Sequence, residues 1–224
     1  FVQRLVAERY FADHAAGDLL VIVDAFAFAD PRWNAARLGD SDMMPKIPAD
    51  LATLGVLARA VPRGLDWRTL LDYASGFSRI TDRARFDRDV WEAEAKFDTA
   101  PRRPSDAADA ARIEYLYPGE PSRQAMDRAF RDLAALVALA REHGAGTVLV
   151  RPPLPDRFRE RLPGLEGFEK RLAALAERTG ARLVDHSALV PDPKHYLDSD
   201  HLNRTGVSLW LDRGLGALLR GDAA

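Results

Sequence analysis

The chain has 224 residues, 47% of them hydrophobic and 29% charged, with a formal net charge of −2. Acid and base are mixed along it, which argues against the basic face that a nucleic-acid partner needs. The absence of cysteine excludes a disulfide framework and a thiolate metal site, and fits the cytoplasm and a bacterial envelope equally well.

The chain opens at Phe1 directly in a helical pattern over residues 1–16, with Phe1, Leu5, Val6, Tyr10 and Phe11 spaced for one face. It therefore reads as a fragment, and its lack of a leader says little about the intact protein. Gly17-Asp18 breaks the helix. Leu19-Leu-Val-Ile-Val23 is a short continuous apolar run, the signature of a buried parallel strand. The run from Leu19 to Phe28 is the nearest approach to a membrane span. It is interrupted by Asp24 and falls well short of roughly 18 apolar residues. The loop Asp30-Pro-Arg-Trp-Asn34 follows. Helices are expected over 48–60 and 66–76, and residues 98–109, with Pro101 and Pro104, read as an exposed loop.

Beyond residue 120 the pattern sharpens. Pro121-Ser122 starts a helix to about His143, with Met126, Phe130, Leu133, Val137 and Ala140 as its apolar stripe. Gly144 and Gly146 end it. Thr147-Val-Leu-Val150 is a second buried strand, stopped by Pro152-Pro153. A helix over 165–179 carries Phe168, Leu172 and Leu175 inward and ends at Gly180. Arg182-Leu-Val-Asp185 is a third strand, and a last helix runs from about Asn203 to Leu219. This alternation predicts a parallel α/β sheet with right-handed crossovers, within a single domain over 1–224. Its chemistry is expected beyond the C-terminal strand ends.

The chemistry concentrates in Tyr196-Leu-Asp-Ser-Asp-His-Leu-Asn-Arg-Thr-Gly206. Asp198 stands three residues before His201 on one short loop after the third strand. A carboxylate that takes the Nδ1 proton of an imidazole leaves Nε2 free as a base. Such an oriented base is half of a nucleophilic triad. Asp200 lies at the wrong offset for that role and is read as solvated or as helping to cap the final helix. Asn203 is read as its N-cap.

The block Asp198-Ser-Asp-His201-Leu-Asn-Arg-Thr-Gly206 resembles the final motif of SGNH (GDSL-type) hydrolases. It is most similar to the branch of bacterial cell-envelope acyltransferases and esterases. Val148-Leu-Val-Arg-Pro-Pro-Leu154 resembles the penultimate strand motif, Arg182–Asp185 the last strand, and Asp18–Phe26 the third. The resemblance implies a three-layer α/β/α parallel sheet of flavodoxin-like SGNH topology, lacking its N-terminal strand. It also implies a Ser-His-Asp mechanism on an acyl ester of a carbohydrate or envelope polymer. His201 and Asp198 would be catalytic, and no metal or organic cofactor is required. The intact protein would sit in the periplasm or envelope, anchored through an N-terminal segment and served by a membrane acyl-transfer partner; otherwise it is cytoplasmic.

The serine is the open question. Gly39-Asp40-Ser41 matches the family's letters, but no buried strand precedes it, so the first strand and its serine are expected upstream of Phe1. The family's Gly-x-Asn-Asp oxyanion block is missing, and Asn34 is the nearby substitute. Arg151, at a strand end, is a candidate for binding an anionic or carbonyl group, against the plainer reading of an ion pair. Asp185 and His186, adjacent on a strand, should point to opposite faces rather than share a metal. A second function class stays open: a non-catalytic assembly or glycan-binding protein that keeps the fold. A nucleotide-binding α/β domain is disfavoured, since neither Gly-x-Gly-x-x-Gly nor a P-loop occurs.

Overall fold

A computed structural model describes residues 2–14, 17–29, 50–63, 66–76 and 104–222. Its described residues are mixed α/β, mostly helical, with a three-stranded parallel sheet. Its compact parts are two, one drawn from Phe1–Gly17, Ala27–Ala95 and Ser122–Gly146, the other from Asp18–Phe26, Lys96–Pro121 and Thr147–Ala224.

The described part of the first unit is helical. Its described elements include α1 (Val2–Asp13), α3 (Leu51–Ala60), α4 (Trp67–Ser75) and the 20-residue α6 (Arg123–Glu142). A short turn of helix, α2 (Phe26–Ala29), follows residue 25. Ser122 caps α6 by accepting from the Ala125 N–H at 3.2 Å. The stripe Phe130, Leu133, Leu136, Val137 and Ala140 is buried, and α1 packs on this helix. The inward face of α1 differs from the expected one. Ala7 and Phe11 are buried, whereas Val6 and Tyr10 are 54% and 51% exposed. Phe11 stacks on His143 with ring centroids 5.0 Å apart, which fixes the rotation of α1.

The second unit holds the sheet, in the order β1 (Leu19–Ile22), β2 (Thr147–Arg151), β3 (Arg182–Asp185). Leu19 pairs with Thr147 and Val148 with Arg182, all strands parallel. The Val23 N–H adds a bond to the Val150 carbonyl at 2.9 Å just past β1. Leu149 and Val150 are fully buried in the central strand. Helix α8 (Leu165–Thr179) packs against β3 and buries Phe168, Leu172 and Leu175. Gly180 closes it at φ 74°, a conformation costly for any residue with a Cβ.

Two stretches depart from the sequence expectation. Within the expected loop 98–109, residue 106 begins α5 (Asp106–Leu116). Ser105 caps it by accepting from the Ala108 N–H. Asp106 and Asp109 place negative charge in the first turn, where the helix dipole favours it, and alanines fill the body. Asp109 is buried and receives Nε of Arg157 at 2.7 Å, which ties α5 to the short helix α7 (Asp156–Arg159). The expected final helix is instead α9 (Arg204–Trp210), a π-turn over Leu211–Leu215, and α10 (Gly216–Arg220). The π-turn lies against His186: a Cβ on Gly214 would fall 2.7 Å from its Nε2. Among the described residues no helix is long and apolar enough to cross a membrane.

Candidate active site

The loop between β3 and α9 is held by its own backbone. Tyr196 and Leu202 form an antiparallel bridge, the Leu197 N–H donates to the His201 carbonyl at 2.7 Å, and the Asn203 N–H donates to His195 O at 2.9 Å. Tyr196 is buried, and its hydroxyl donates to the Val190 carbonyl at 2.7 Å. Asn203 is fully buried and caps α9: its Oδ1 accepts from the Gly206 N–H at 2.9 Å and its Nδ2 donates to Lys194 O at 2.8 Å. The glycine is sterically required. A Cβ at 206 would lie 2.1 Å from His195 O and 2.9 Å from Leu202 Cδ2. Asn203 and Gly206 thus clamp the segment that carries the acid–base pair.

Within that clamp Asp198 and His201 meet. His201 Nδ1 donates to Asp198 Oδ2 at 2.8 Å. Asp198 Oδ1 accepts the backbone N–H of His201 at 2.8 Å and of Asp200 at 3.1 Å. An ionised carboxylate only accepts, so the imidazole proton sits on Nδ1 and Nε2 carries the free lone pair. Burial works against ionisation of Asp198, but the bonds from His201 and Asp200 outweigh it and hold the carboxyl far below its ordinary range. The bond to Asp198 raises the pKa of His201 above 6.5, with partial burial and Arg112 opposing and Asp200 assisting.

Asp200 corrects the sequence reading. It is neither solvated nor a cap: its side chain is 8% exposed and bound by Arg112. Nε donates to Oδ1 at 2.8 Å and Nη2 to Oδ2 at 2.9 Å, a two-point clamp. Asp200 Oδ1 lies 3.6 Å from His201 Nδ1. Asp198, Asp200 and His201 each offer a ligand atom within 4.8 Å of the others. The guanidinium on both Asp200 oxygens already supplies a fixed cation there.

Asp24, just past β1, is the other carboxyl of the cluster. Burial raises its pKa to about 6, the Asp200 charge pushes the same way, and His201 opposes. Near it the Tyr117 hydroxyl is buried without a hydrogen-bond partner among the described residues, and burial and Asp24 both push its pKa up. Asp24, Tyr117, Asp200 and His201 border one cleft of about 430 Å³, whose other walls include Leu116, Leu154, Phe158, Leu162 and Val207. Apart from the polar cluster the lining is apolar.

A proton-binding asymmetry follows from Asp24. The folded pKa of about 6 exceeds the ordinary aspartate value of 3.8, so the native state binds the proton more tightly than the unfolded chain. Stability therefore falls as pH rises from 3.8 through 6 and stays lower above. Asp24→Asn, uncharged throughout, should raise stability at pH 8 by roughly 3 kcal/mol and leave it nearly unchanged at pH 4. Thermal unfolding of both proteins at the two pH values checks this; an equal effect at each pH refutes it.

The remaining candidates lie elsewhere. Arg151 adopts the plainer of its two readings, pairing with Asp185 at 2.6 Å and Glu169 at 2.5 Å, and it is not among the residues that line the cleft. His186 is buried, with a lowered pKa from desolvation that Asp185 opposes. Its Nδ1 accepts from Trp210 Nε1 at 2.9 Å. Asp185 turns instead to Arg151 and the Ser187 N–H. Asn34 and Ser41 lie outside the described residues. Arg112, Asp24 and Tyr117 are the site residues that sequence reasoning passed over. Comparison with protein-family models, curated proteins and solved structures gives no match.

Proposed function

We propose that the chain belongs to an SGNH-type acyl-ester hydrolase or O-acyltransferase of three-layer α/β/α architecture. It would act on an ester of a carbohydrate or cell-envelope polymer. The observation that carries this reading is the 2.8 Å bond from His201 Nδ1 to Asp198 Oδ2, with His201 among the residues that line a largely apolar cleft. The order and direction of the sheet support it, since the parallel strands β1, β2 and β3 follow the order expected of the third, penultimate and last strands. In this mechanism a serine outside the described residues attacks the acyl carbonyl. His201 Nε2 takes the serine proton and returns it to the leaving alcohol. Asp198 holds the tautomer and stabilises the imidazolium. Transfer in place of hydrolysis requires an acceptor hydroxyl and exclusion of water. The setting we propose is a bacterial periplasm or envelope, with a membrane-borne acyl donor.

The experiment is a fluorophosphonate probe applied to the intact protein. One serine should be labelled, and His201→Ala should abolish the labelling. Absence of a labelled serine would support the second reading, a non-catalytic envelope or glycan-binding protein. One observation favours that reading: no serine or threonine is among the described residues lining the cleft.

A further inference from the structure

Asp24 takes no part in the His201–Asp198 couple, yet it borders the same cleft. No hydrogen bond to its carboxyl occurs among the described residues. It stands where β1 ends, and its charge is felt by Asp200 and His201 from the loop after β3 and by Tyr117 from the end of α5. Arg112 and Asp198 complete the charged groups of the cluster. The apolar lining residues Leu154, Phe158, Leu162 and Val207 offer no charge.

We propose that this cleft is an acyl-chain site, in which a chain of medium length lies along Leu154, Phe158, Leu162 and Val207 and its carbonyl oxygen accepts a hydrogen bond from the carboxyl of Asp24. The acyl chemistry rests on the function proposed above; the binding does not require it. A volume of about 430 Å³ falls within the size range of small-molecule sites, which join apolar walls to a few placed polar groups. A two-carbon acyl group would leave most of that space to water against apolar surface, an unfavourable arrangement. The polar groups of the lining gather in one cluster around Asp24, which suits a ligand with one polar head. The neutral form of Asp24 can donate to a carbonyl, whereas its carboxylate would repel one. Desolvation already favours the neutral form, and a chain that displaces more water pushes the same way. Asp24 therefore supplies a donor on the acyl side of the site, where a protonated carboxyl can serve a carbonyl oxygen.

The test is calorimetric titration of the 224-residue chain with N-methyloctanamide and N-methylacetamide, at pH 5.5 and pH 8. Neither amide carries an ester, so binding is read without turnover. The longer amide should bind about a hundredfold more tightly or better. Its affinity should fall about tenfold from pH 5.5 to pH 8 as Asp24 ionises. Asp24→Asn keeps an N–H donor and should bind alike at both pH values; Asp24→Ala should bind weakly at both. Leu154→Trp and, on a different wall, Val207→Trp should block the longer amide, with thermal unfolding confirming that each variant is folded. Equal affinities for the two amides overturn the proposal. So does a pH dependence that persists in Asp24→Asn, which would assign it to His201. Tighter binding of octylamine than of N-methyloctanamide also overturns it and makes the cleft a cation site. Failure here leaves serine labelling of the intact protein unaffected, and failed labelling leaves the amide titration standing.

Discussion

His201→Ala should lower acyl-ester turnover by the intact protein by about 10³- to 10⁶-fold, because in the proposed mechanism it removes the base that takes the proton from the nucleophile. Asp198→Asn should cost on the order of 10³- to 10⁴-fold through the tautomer. The asparagine Oδ1 would still accept the two backbone N–H groups that Asp198 Oδ1 accepts. Its amide would then face Nδ1 as a donor. The imidazole proton would move to Nε2, and the base would be lost. Asp200→Asn should cost less than either, since Asp200 Oδ1 is 3.6 Å from Nδ1 and its oxygens are held by Arg112. The wild-type rate should rise with pH along a limb above 6.5, because the bond to Asp198 raises the His201 pKa and only neutral imidazole is a base. Steady-state kinetics across pH for the three variants checks the series. Equal losses at Asp198 and Asp200 would transfer the orienting role to the wrong carboxylate for this proposal.

The parts of the fold written in local periodicity were legible. The apolar runs at 19–22, 147–151 and 182–185 are strands, and helix 165–179 ends where Gly180 requires. The Asp198–His201 pair was legible for the same reason, since both residues lie on one short loop. What escaped depends on distant chain. Arg112 reaches Asp200 across 88 residues, and no spacing rule links them. The start of its helix did carry a signal, Ser105 followed by an acidic first turn, but Pro101 and Pro104 suggested a loop. Asp24 registered only as an interruption of an apolar run. A lone carboxyl at the C-terminal tip of a buried strand is itself a site signal in an α/β sheet, and that is where β1 leaves it. The π-turn at 211–215 answers to His186, whose packing against Gly214 no helical pattern announces.

Arg112→Ala should destabilise the protein by roughly 3 kcal/mol, a magnitude seen when one partner of a buried ion pair is removed. The carboxylate it leaves is 8% exposed and shares its surroundings with Asp24 and Asp198. Among the described residues their one remaining close cation would be His201. The value is set at the lower end of the buried-pair range because the Arg112 side chain is 25% exposed, so water can enter where it stood. Arg112→Lys should recover only part of the loss, since an ammonium cannot reproduce the two parallel bonds to Oδ1 and Oδ2. The double variant Arg112→Ala/Asp200→Asn should be more stable than Arg112→Ala alone, because it removes the stranded charge. A second readout separates this role from simple packing. The Arg112 charge lowers the His201 pKa, so its loss should shift the ascending limb of the pH–rate profile to higher pH. Denaturant unfolding and pH–rate profiles measure both. A loss under about 1 kcal/mol with an unmoved limb would make Arg112–Asp200 an ordinary surface pair, and the link between α5 and the loop that carries His201 would fall with it.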